Sequence, residues 1–217
     1  QILEPLEELR LSKNIKTIGK IKDLVSLKVK SQYEENPYPR WRFASYLTNE
    51  KISYIQAVNN EISPNNISQV LVNRKLKVLI AGCGTGQQIL QAQKYKNADI
   101  IAIDLSSSSL EYAQRKINEH QISNVKFINM DILDLFLLKE KFDIIECGGV
   151  LHHMNDPIIG LKALLGVLNK NGFLKLGLYS DLARKDIIKA INYISKEKIE
   201  PNEDNLRAFR QKVISGD

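Results

Sequence analysis

Residues 76–86 read LKVLIAGCGTG, an apolar run that passes directly into a turn carrying Gly82, Gly84 and Gly86. A run this short, without polar alternation, is a strand buried on both faces. The glycines let the backbone turn sharply and approach a ligand closely, and the helix expected over residues 86–96 aims its first amides at the same place. Outward from this point the pattern repeats. ADIIAID (98–104) is a second buried strand, followed by a helix in SSSSLEYAQRKINEH (106–120) with a serine at the cap. NVKFINMD (124–131) and FDIIECGG (142–149) are further strands. DPIIGLKALLGVL (156–168) is a helix opened by Asp156 and Pro157, and NGFLKLGLYS (171–180) is a turn and a last strand. Strand alternating with helix predicts an α/β fold, a doubly wound, Rossmann-like, mostly parallel sheet.

The flanks are different. Residues 1–30 carry Leu, Ile and Val at helical spacing, enough for one or two amphipathic helices with a weak point at Gly19. QYEENPYPRW (32–41) is neither stripe nor alternation, because Pro37 and Pro39 each bias the preceding residue away from helix. Residues 42–60, 182–199 and 203–214 read as helical. The expected organisation is an N-terminal helical segment and lid (1–70), the sheet domain (71–181) and a helical start of a further region (182–217). A sheet of this kind normally closes with a C-terminal hairpin, and after residue 180 only helical patterns appear, so the sequence reads as part of a longer chain.

Of the 217 residues 43% are hydrophobic, with 11 Gly and 6 Pro, an ordinary globular composition with material for a core. The two cysteines, Cys83 and Cys147, lie in apolar segments and suit a reducing cytoplasm better than a disulfide framework. No apolar run approaches membrane-spanning length, which argues against membrane insertion. The net charge of +6 is spread over scattered lysines, the pattern of solvated helix faces. A nucleic-acid partner is not expected, for no contiguous basic stripe with interleaved aromatics is present. The sequence begins at Gln1, so a leader could precede it.

Ligands of a doubly wound sheet bind at the carboxyl ends of the strands, where strand order reverses. The dinucleotide fingerprint would require a third glycine at Gln87, which counts against a nicotinamide cofactor. Asp104 ends the second strand, placed to accept both hydroxyls of a ribose. Asp131 ends the third, where it can take an adenine amino group while Ile132 packs on the ring. ECGGVLHHMNDP ends the fourth. His152 and His153 are adjacent, poorly placed to share an ion, and no clustered Cys or acid completes a metal set, so no metal is expected.

With VLIAGCGTG (78–86), Asp104, NMDI (129–132) and FDIIECGGVLHHMNDP (142–157), the sequence resembles the class I S-adenosylmethionine-dependent methyltransferases over residues 76–180. The resemblance implies S-adenosyl-L-methionine as cofactor and S-adenosyl-L-homocysteine as product. It implies that Gly82, Gly84 and Gly86 line the methionine part, Asp104 the ribose, and Asp131 with Ile132 the adenine, while Cys147 and Gly148 border the methyl. Ala81, Cys83, Leu105, Ser106 and Met130 join them as candidate contacts, with Tyr33 and Arg42 from the N-terminal segment.

QYEENPYPRW has what a roof over such a site needs: a proline-fixed backbone, Tyr and Trp faces, and acids able to hold an incoming amine. The candidate catalytic set is therefore Tyr33, Glu35, Tyr38, Trp41, Cys147 and His152. The plainer alternative is a proline-kinked connector whose aromatics plug a gap between helix and sheet. Together with GLYSDLAR (177–184) and LRAFRQ (206–211), the decapeptide resembles bacterial protein methyltransferases, including rickettsial-type enzymes that methylate lysines of an outer membrane protein. That implies a protein substrate with lysine side chains as the partner, with a homodimer as a candidate assembly. Methylation of a small molecule or RNA, or a catalytically inactive cofactor-binding subunit, are the competing readings.

Overall fold

A computed structural model describes residues 3–44, 50–68 and 74–216. Six strands form one sheet: β1 (Lys16–Thr17), β2 (Leu76–Ala81), β3 (Ala98–Asp104), β4 (Val125–Asn129), β5 (Phe142–Gly148) and β6 (Leu168–Gly177), in the order β1-β4-β3-β2-β5-β6. Every neighbouring pair is parallel. Order reverses between β2 and β5, so the turns after these two strands flank a crevice at the carboxyl edge.

Alternate strand residues feed two cores. Val78 and Ile80 pack with Leu90, Leu110, Ala113 and Trp41 on one face. Leu79 and Ala81 pack with Ile103, Leu135, Leu164 and Val167 on the other. Helices α4 (Gln87–Ala92), α5 (Ser107–Glu119) and α6 (Pro157–Val167) follow their strands in the chain. Local chemistry sets their starts. Ser106 Oγ accepts from the Ser109 amide at 3.0 Å to cap α5, and Asp156 accepts from the Ile158 amide at 2.8 Å to cap α6, with Pro157 in its first turn.

The predicted sheet is present, with several differences at its margins. The strand expected over 124–131 ends at Asn129, because Asp131 takes the Leu133 amide and starts a 3₁₀ turn over Ile132–Leu138. β6 begins at Leu168, earlier than expected, and its register against β5 jumps from Phe142↔Leu168 to Ile144↔Phe173. Gly172 makes that irregularity feasible, for a Cβ there would lie 2.9 Å from the Asp143 carbonyl oxygen. The helix expected over 42–60 is α3 (Tyr54–Ile62), capped by Ser53; residues 45–49 lie outside the described residues.

The N-terminal region holds α1 (Leu3–Ser12) and α2 (Leu24–Glu35), separated near Gly19. α2 runs into the decapeptide and stops at Asn36, as the prolines that follow require. Between the two helices β1 adds an edge strand to β4, which periodicity could not show in two residues. The boundary expected near residue 70 falls on residues 69–73, outside the described residues. Residues 1–178 form one compact unit and residues 179–217 a second. The second consists of α7 (Lys185–Lys196) and α8 (Glu203–Ser215), joined by Tyr193 stacked on Phe209 and by Lys212 Nζ donating to Tyr193 Oη. Among the described residues no helix is long and apolar enough to cross a membrane.

Asp143, buried at the start of β5, ties three strands at the edge opposite the crevice. It accepts two bonds from Arg74 at 2.8 and 2.7 Å, one from the Lys77 amide, and one from Asn169 Nδ2 at 2.6 Å. Burial alone would raise its carboxyl, yet the Arg74, Lys77 and Asn169 donors hold it below the ordinary 3.8. A lowered native carboxyl contributes stability above its unfolded value that is lost as pH falls through the native one. Asp143→Ala should cost about 3–5 kcal/mol by leaving Arg74 and the Lys77 amide without their acceptor. Chemical denaturation should also show less stability loss below about pH 4 in the variant than in the wild type.

Candidate active site

The turn after β2 is shaped by three left-handed glycines, with φ of 73° at Gly82, 50° at Gly84 and 94° at Gly86. A Cβ on Gly82 would lie 2.3 Å from Val150 Cγ2, so the turn also packs against the loop after β5. Asp104, at the end of β3, holds the turn from the other side. Its two oxygens accept the Gly84 amide at 2.8 Å and the Ser106 amide at 2.9 Å. Burial, with the charge of Glu34, pushes the Asp104 carboxyl above its ordinary value against the pull of these amides. The Cys83 thiol is driven well up by burial and by Asp104.

A cavity of about 240 Å³ opens over this turn. Its floor is Gly82, Cys83, Gly84, Thr85, Ile103, Asp104 and Leu105, and one end is Met130, Asp131 and Ile132. Gly148, Gly149, Val150, His153 and Met154 form the side from β5. Ser26, Val29, Tyr33, Tyr38 and Pro39 form the roof. Of the expected residues, the structure thus brings together Tyr33, Tyr38, Gly82, Cys83, Gly84, Asp104, Leu105, Met130, Asp131, Ile132 and Gly148.

Eight others do not line the cavity. Trp41 is buried on the far side of the glycine turn, stacked near His120 and edge-on to Tyr112, with Nε1 donating to the Thr85 carbonyl at 2.9 Å. Thr85 Oγ1 donates back to the Pro39 carbonyl at 2.7 Å. The decapeptide is therefore roof at Tyr33, Tyr38 and Pro39 and connector at Trp41. Glu35 is exposed at the end of α2, two residues past Tyr33 on the helical face that meets the cavity. Arg42 is exposed, and its carbonyl accepts from Lys116 Nζ at 3.2 Å. Ala81 and Cys147 sit in strands with their side chains in the core, and burial pushes the Cys147 thiol up to about 12. A Cβ on Gly86 would meet Ala113 at 3.0 Å, so that glycine faces α5. Ser106 is spent capping α5. His152 packs its ring 4.3 Å from that of His153, and it is His153 that reaches the cavity. Among the described residues no group of three metal-ligating side chains is present.

Other cavity residues carry no local signal in the sequence. Ser26, Val29 and Tyr33 recur at i, i+3 and i+7, one face of α2, but nothing in that stripe says what it faces. Gln88 donates from Nε2 to the Gly148 carbonyl at 3.1 Å, while its Oε1 is buried without a hydrogen-bond partner among the described residues. Ser109 is 1% exposed, and its Oγ likewise has no partner among the described residues.

A family model described as a methyltransferase domain matches residues 73–208. An uncharacterised protein of Rickettsia prowazekii is 26% identical over 82% of this chain and 70% of its own. A tRNA U34 carboxymethyltransferase of Campylobacter fetus is 36% identical over 46% of this chain and 36% of its own. Among solved structures, PKMT2 from Rickettsia typhi in complex with AdoHcy shares the fold with a TM-score of 0.56, at 23% identity, over 81% of this chain and 34% of that one. The chain thus spans about a third of the length of these last two relatives.

Trp41→Ala should cost about 3–5 kcal/mol of stability, measured by denaturant titration, since it empties a packed aromatic site and removes the Thr85 acceptor's partner. A variant as stable as the wild type would show that Trp41 does not carry the connector.

Proposed function

The chain belongs to the family of methyltransferase domains, folded as the class I, S-adenosylmethionine-dependent kind, and on that premise we propose that its cavity holds S-adenosylmethionine and serves transfer of the methyl to a lysine side chain of a protein. The residues present fit that cofactor. Asp104 keeps lone pairs on both oxygens beyond its two amide bonds, enough to accept ribose hydroxyls. Met130 and Ile132 give apolar walls for a base, with Asp131 beside them. Gly82 and Gly84 leave backbone exposed for the amino-acid end. The orphaned Ser109 hydroxyl is a buried donor awaiting an acceptor. The fit of these groups around Asp104 is the observation that carries the cofactor assignment.

The bound cofactor supplies a methyl already activated on a sulfonium. The protein's task is to exclude water, align the acceptor and favour its neutral form. A lysine acceptor costs about 4–5 kcal/mol to deprotonate at pH 7. A roof of Tyr33 and Pro39 over an apolar site lowers that cost, since desolvation disfavours ammonium; Tyr38 also lines the cavity but is 74% exposed. This roof, and the resemblance of the three short motifs to rickettsial-type lysine methyltransferases, support lysine over other acceptors. The matched tRNA enzyme makes RNA the competing acceptor. Incubating the full-length protein with labelled cofactor and either basic protein or tRNA, then mapping the label by mass spectrometry, tests the choice. Label on lysine supports the reading; label on RNA alone overturns it.

Asp104→Ala should weaken S-adenosylhomocysteine binding by roughly 1.5–3 kcal/mol in calorimetry; unchanged affinity would remove Asp104 from the ribose site. Ser109→Ala should move two quantities in opposite directions. The melting temperature of the ligand-free protein should rise, because an unsatisfied buried hydroxyl is gone, while ligand affinity falls by roughly 1 kcal/mol. A rise in affinity would show that the hydroxyl faces no ligand group.

A further inference from the structure

The start of α5 is capped in an unusual way. Four consecutive amides there are taken by side-chain oxygens. The Ser106 amide goes to Asp104 and the Ser109 amide to Ser106 Oγ, both partners local in sequence. The Ser107 and Ser108 amides, each at 2.9 Å, go instead to the two oxygens of Glu34, more than seventy residues away on α2; Ser108 Oγ adds a third bond at 2.7 Å. The first amides of a helix have no partner within it, and the helix dipole favours a negative charge there. Burial pushes the Glu34 carboxyl up, but the Ser108 and Ser107 donors, with Lys30 one turn back, bring it below its ordinary value.

Packing covers α2 only in part: Ser26 is its one buried residue, Val25, Val29 and Tyr33 are half-buried, and Leu24 is 74% exposed. Yet Tyr33, next to Glu34, forms part of the cavity roof. We propose that Glu34 is a positioning residue, a latch that holds the α2 roof, and Tyr33 with it, over the bound cofactor by capping α5. The latch closes on the same turn that carries Asp104, so roof and ribose site are registered to one piece of backbone. This inference rests on the cofactor reading given above.

Two measurements separate the latch from a merely structural cap. Hydrogen exchange on the ligand-free protein needs no cofactor, and Glu34→Ala should speed exchange of the α2 amides by roughly tenfold or more while leaving the β2–β5 amides unchanged. Stopped-flow dissociation of S-adenosylhomocysteine should also accelerate by roughly tenfold to a hundredfold in Glu34→Ala, with Glu34→Gln intermediate because its amide oxygen retains one acceptor. Adding Glu34→Ala to Tyr33→Ala should change dissociation little further, because both act through the roof. Unchanged exchange in α2, or dissociation unchanged at lowered melting temperature, or full additivity with Tyr33→Ala, each overturns the latch. If the wild type fails to bind S-adenosylhomocysteine, it is the cofactor reading that falls, and the exchange measurement still decides the latch.

Discussion

The carboxylate of Asp104 is the constraint on which the site depends. It sits at the end of β3, one strand from the switch point, and its two oxygens fix the glycine turn after β2 and the first residue of the cap of α5. Two loops from different strands are thereby registered by a single side chain. Such an arrangement is costly to build. Burial and the neighbouring Glu34 charge raise its carboxyl, so the amides of Ser106 and Gly84 offset a desolvation that the fold would otherwise avoid. A carboxylate kept at such a cost, with lone pairs remaining and a cavity in front of it, is what a polar ligand would repay.

Around that centre the N-terminal segment is fastened at two points of different character. One fastening is a reciprocal pair. Trp41 donates to Thr85 and Thr85 donates to Pro39, which clips the decapeptide to the rigid glycine turn within a packed aromatic cluster. The other fastening is electrostatic, the Glu34 carboxylate on the start of α5, attached to a helix with a single fully buried residue. The first fastening is dry and stiff. The second is half-exposed, and free energies of local opening are lowest where few apolar contacts oppose them. The segment is thus fixed by aromatic packing at Trp41 and by one carboxylate at Glu34.

The opposite edge of the sheet is a counterpart in stability terms. Asp143, with Arg74, the Lys77 amide and Asn169, gathers the starts of β2, β5 and β6. A parallel sheet leaves the amino ends of its strands free of the ligand crevice. Asp143 there accepts bonds from Arg74, Lys77 and Asn169, while at the carboxyl edge Asp104 accepts the Gly84 and Ser106 amides and Asp131 the Leu133 amide beside the cavity.

The sheet, its parallel sense, the glycine turn, the acid ending β3 and the acid just past β4 were all legible in the sequence. Each rests on a local rule: apolar runs of strand length, left-handed turns that need glycine, polar residues at strand ends. Cap residues such as Asp156 and Ser106 were legible for the same reason, because a cap bonds within its own first turn. The face presented by Trp41, the exposure of Glu35, the choice of His153 over His152 and the partner of Glu34 were not. β1 also escaped, as two residues carry no period. For Trp41, Glu34 and β1 the outcome depends on a contact across a large separation, such as the 44 residues between Trp41 and Thr85 or the 73 between Glu34 and Ser107. Local chemistry determines where a strand or helix begins. Only tertiary packing decides which side of an irregular, proline-bent segment is turned toward the cavity, because that segment has no periodicity of its own to turn it.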